Sequence, residues 1–128
     1  MRTQYILLFI SLVLFSGCSN PSEDLFNEVM AVHDEVMPKM DDIMKEKGRI
    51  QEMINSENDS ARIIMLRETI SNLNSADESM MEWMRSFDRD KFSEDPDAQI
   101  NYYREELIRI NEVKEKMLTA INESKAVQ

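Results

Sequence analysis

One cysteine, two glycines, three prolines and one histidine are spread over 128 residues. A lone cysteine excludes a disulfide within the chain. So little glycine leaves no phosphate-cradling loop, and a single histidine leaves no evident Ser/His/Asp or Cys/His grouping for nucleophilic catalysis. The alternation of β-branched residues that marks strands is also missing. Carboxylates are plentiful, at 25, and pairs such as Asp41 and Asp42 have acid–base capacity, but a solvated helix face is the commoner role of such charges. A non-enzymatic protein is expected.

The N-terminus is the most specific part of the chain. Arg2 precedes an apolar run from Tyr5 to Phe15, followed by the small residues Ser16 and Gly17 and then Cys18. This pattern predicts an export signal over residues 1–17, too short for an ordinary membrane span. Phe15-Ser16-Gly17-Cys18 resembles the lipobox of bacterial lipoproteins, departing from it only in Phe15 where leucine is usual. The resemblance implies cleavage before Cys18 and acylation of that cysteine, with two or three chains giving a stable anchor where one would not. Residues 18–21 would then be the lipidated cysteine and a short tether, and residues 22–128 one domain.

Removing residues 1–17 leaves 25 acidic against 14 basic side chains, a net charge of −11. That balance repels nucleic acid and anionic lipid, so any hold on a membrane comes from the lipid on Cys18.

Apolar residues recur at helical spacing in three segments. The first carries Leu25, Val29, Val32, Val36, Met40, Ile43, Ile50 and Ile54, beside a second stripe of Phe26, Met30, His33, Met37 and Met44. Ser22 is its expected N-cap, Pro38 its expected kink and Gly48 a weak point in one interrupted helix reaching about Asn55. A polar loop around Glu57 leads to a second stripe of Ile63, Leu66, Ile70, Leu73, Met80, Met84 and Phe87. Asp95-Pro96 starts a third helix with Ile100, Tyr103, Leu107, Ile110, Val113, Met117 and Ile121 inward. The expected fold is all-α: an up-down-up bundle of three long antiparallel helices, each about 30 residues.

Methionine is abundant, with eleven in the chain. Folding the chain near Glu57 sets residues whose numbers sum to about 114 at one height. Met30, His33, Met37, Met80 and Met84 then share a layer with Trp83, near Pro38. Thioether and imidazole ligands suit Cu(I), which makes this layer a candidate copper site. Methionine is also a filler of irregular cores, and on surfaces it accepts varied partners, as in a periplasmic chaperone.

The stretch from Val29 to Met40, containing His-Asp-Glu-Val-Met-Pro-Lys-Met at 33–40, resembles small bacterial lipoproteins of unknown function, as does the stretch from Ala76 to Met84. Many of those proteins carry the label viral A-type inclusion protein, which reflects helical, coiled-coil-like composition and implies no viral role. The resemblance supplies no active site. Together these readings predict a lipid-anchored envelope protein, facing the periplasm from the outer membrane, that acts by contact with other envelope proteins.

Overall fold

The computed structural model describes residues 20–127, and the expectations for residues 1–17 and Cys18 lie outside them. Among the described residues the chain is all-α, with four helices packed against one another: α1 (Pro21–Val36), α2 (Lys39–Ser56), α3 (Ser60–Ser86) and α4 (Pro96–Ala126). None of these helices is long and apolar enough to cross a membrane.

Local chemistry explains the helix starts. Asp59 and Asp95 cap α3 and α4, their carboxylates accepting from the backbone N–H groups of Ala61 and Ala98. The cap of α1 is Asn20, whose side chain accepts from the Ser22 N–H at 3.2 Å, and not Ser22 as expected. The reason is Pro21. Its fixed φ and missing N–H suit the first helical position, which places the cap on the residue before it, two residues ahead of Ser22.

Pro38 divides the first expected helix into two. It has no N–H to offer Asp34, so the ladder stops with Met37 donating to the His33 carbonyl and restarts with Met40 donating to that of Met37. Met37 and Pro38 keep right-handed helical dihedrals, so no loop opens between α1 and α2. Gly48 lies exposed inside α2, with open space where a Cβ would stand. Gly48→Ala should therefore raise stability by about 0.5–1 kcal/mol through the lower entropy of the unfolded chain, read as a higher midpoint in urea.

The deepest side chains recur every seven residues. Val29, Val36, Ile43 and Ile50 run through the Pro38 break, Leu66, Leu73 and Met80 line α3, and Tyr103, Ile110 and Met117 line α4. A seven-residue apolar period keeps one seam facing its neighbours when helices wrap left-handed, as in coiled coils. Ser22 and Ser124 continue the same spacing at the two extremes, buried although polar.

Polar contacts record the register. Ser22 Oγ donates to Gln99 Oε1 at 2.6 Å, Lys114 Nζ to Glu35 at 2.7 Å and Ser124 Oγ to Glu46 at 3.2 Å. These partners stay 77–79 residues apart from one end of the bundle to the other. Between α3 and α4 the pairs are Ser86 with Arg109 and Ser79 with Lys116, one number falling as the other rises.

Candidate functional site

The Met/His layer is partly assembled. Met80 is fully buried in the main apolar cluster, Met37 and Met84 pack against that cluster, and Met30 is half-buried on α1 outside it. His33 is half-buried, its ring tilted at 5.8 Å from that of Trp83 and its Nδ1 hydrogen-bonded to Asp34 Oδ1 at 2.9 Å. The contact of residue 33 with residue 83 places α1 against α3 close to the height that folding near Glu57 implied. Among the described residues no three His, Cys, Asp or Glu side chains group to hold a metal ion, so a metal here would depend on the thioethers. Other methionines face outward, with Met44, Met65 and Met81 exposed, so the methionine content is divided between core and surface.

Aromatic side chains gather at one end. Phe26 of α1, Trp83 at the end of α3, Phe87 and Phe92 of the following loop, and Tyr102 and Tyr103 of α4 form one chain of ring contacts 5.0–6.4 Å apart. The α3–α4 loop folds over this cluster because both phenols reach its backbone. Tyr102 Oη accepts from the Asp88 N–H at 2.9 Å, and Tyr103 Oη donates to the Arg89 carbonyl at 2.6 Å. Burial pushes both tyrosines above their ordinary ionisation range. Arg89 in turn stands over the Phe26 ring at 4.4 Å and approaches Glu23 at 3.7 Å, tying the loop to the first turns of α1. Sequence periodicity placed Phe26, Phe87 and Tyr103 on separate stripes, and only the junction of three elements brings them together.

A seam runs along α3 and α4. Its central groove, of about 270 Å³, is lined by Ser79, Glu82, Trp83, Arg109, Glu112, Val113 and Lys116. Trp83 is only 3% exposed, and its Nε1 is buried without a hydrogen-bond partner. Shallow hollows adjoin the groove on both sides: one beside Leu107 and Ile108 shares Glu112 with it, and one beside Ser75 and Thr119 shares Lys116. Ile108 is 61% exposed there. The seam thus offers apolar surface beside a guanidinium, an ammonium and four carboxylates, a mixture suited to contact with another polypeptide.

Sequence reasoning missed the buried carboxylates. Glu106 is buried with Oε1 receiving Arg109 at 2.7 Å and Oε2 unpartnered, and Glu46 is buried with Oε2 receiving both Arg49 Nε and Nη2. In each case an arginine three residues on supplies the countercharge, a Glu-x-x-Arg spacing that was visible in the sequence but is common on exposed helices. Compared with family models, with curated proteins and with solved structures, the chain matches none.

Proposed function

We infer that this chain is a lipid-anchored interaction module of a bacterial cell envelope, held through an acylated Cys18 and acting without catalysis on the periplasmic face of the outer membrane. The domain is an up-down-up bundle of three rods, α1 with α2 forming the first. Contacts at a constant offset between the first rod and α4, and at opposed numbers between α3 and α4, support that topology. The observation that carries the contact role is the seam of linked hollows along α4 from Leu107 to Glu123. What supports a contact there is the adjacency of the exposed Ile108 to Leu107 beside linked hollows, since apolar surface gathered at a depression is what a partner covers.

Two measurements test this reading. Cys18→Ser should move the chain from the membrane fraction to the soluble one, and equal fractionation of variant and wild type would remove the anchor. In intact cells a photoreactive residue at Ile108 should crosslink to an envelope protein, while one at the exposed Asn74, which lines none of the hollows, should not. Equal labelling from the two positions would remove the seam as the contact surface.

A further inference from the structure

The α3–α4 loop carries an apolar side chain that the fold covers only in part. Phe92 is 48% exposed and adopts φ 64, a left-handed conformation that a bulky side chain occupies at a cost glycine or asparagine would avoid. Its ring meets Tyr102 edge-on at 6.0 Å, with Lys91 Nζ 5.4 Å from its centre, and the rest of it faces outward. Nothing in the turn requires a phenylalanine, because the Asp95 N–H is held by the Phe92 carbonyl, a backbone group.

The place of Phe92 in the fold names its surroundings. Its loop is bound to the start of α1 through Arg89, with Glu23 and Phe26, and α1 begins beside Asn20. Cys18 precedes Asn20 by two residues, a reach of at most about 7 Å of extended chain. The exposed ring therefore stands at the end of the bundle from which the acylated cysteine would emerge.

We propose that Phe92 is a second membrane contact, its ring entering the interfacial layer of a zwitterionic phospholipid surface and holding the bundle upright on its lipid anchor. This rests on the lipid-anchored reading above. The anchor makes the second contact intramolecular, so an insertion too weak to recruit a free protein still orients a tethered one. A phenylalanine ring is apolar throughout and gains by leaving water for the boundary between headgroups and acyl chains, as it does on the apolar faces of interfacial helices. Charge selects the lipid: Asp88, Asp90, Glu94, Asp95 and Asp97 outnumber Arg89 and Lys91 in the loop and first turn of α4, which disfavours an anionic surface.

The test uses the full lipidated chain reconstituted into phosphatidylcholine vesicles whose acyl chains are brominated. Phe92→Trp adds an emission to the constant one of Trp83, measured separately in the wild type. Docking predicts that the added emission shifts to the blue and is largely quenched on vesicles, while that added by Ile108→Trp stays water-like. A vesicle-bound chain whose Trp at 92 remains red-emitting and unquenched overturns the docking and leaves the anchor standing. A chain that fails to float with vesicles overturns both.

Discussion

Ile110→Ala should lower the stability of the bundle by about 2–5 kcal/mol, the range for removing buried methylenes and leaving a cavity. Ile110 is fully buried in the apolar cluster at the centre of α4, where Val36, Met80 and Trp83 of other helices belong to the same core. Two residues away, Ile108 is 61% exposed, and Ile108→Ala should change stability by no more than about 0.5 kcal/mol. The pair shares residue type, helix and propensity, so chemical denaturation of the two variants isolates burial. Equal losses would mean that α4 is rotated about its axis relative to the packing described.

Arg49→Ala should cost about 2–3 kcal/mol, a large effect for a side chain that is partly exposed. Its guanidinium donates to Glu46 Oε2 from Nε and Nη2, to the Ser124 carbonyl at 2.6 Å and to the Val127 carbonyl at 3.1 Å. The last carbonyls of a helix have no partner within it, so Arg49 both neutralises a buried carboxylate and closes the C-terminus of α4. Without it Glu46 keeps only the Ser124 hydroxyl, at 3.2 Å. Amide exchange in the last turn of α4 should accelerate. Adding Glu46→Gln to Arg49→Ala should recover part of the loss, because a neutral amide is buried at lower cost than an unpaired charge. A double variant less stable than the single one would show that the charge on Glu46 is not the source of the cost.

Helix identity and the core face were written in the chain at short range. Every residue of the three leading apolar stripes is buried or half-buried, and the Asp95-Pro96 start and the interruption at Pro38 are local events that two or three residues define. The Ser22 cap was misplaced by two residues for an equally local reason, the preference of Pro21 for the first helical turn. Met44, on the second stripe of the first segment, is exposed because that face broadens beyond what neighbouring helices cover. The height of His33 was legible to within about two residues, since one fold point near Glu57 sets it level with Met81 and its ring meets Trp83.

By itself, then, the sequence determined an all-α chain, the inward face of each helix and the places where helices start and break, because these depend on neighbours within about one helical turn. Tertiary structure alone decided which polar groups are buried and which apolar ones are left outside. Ser22 and Ser124 are buried where Gln99 and Glu46 reach them across the bundle, and Glu46 and Glu106 where packing encloses them beside Arg49 and Arg109 of their own helices. Phe92 and Ile108 are apolar yet exposed, because no other element covers them. A buried polar group needs a partner, from its own helix or from across the bundle, and an apolar one stays exposed only where no element covers it. Which of them is enclosed depends on packing between elements dozens of residues apart.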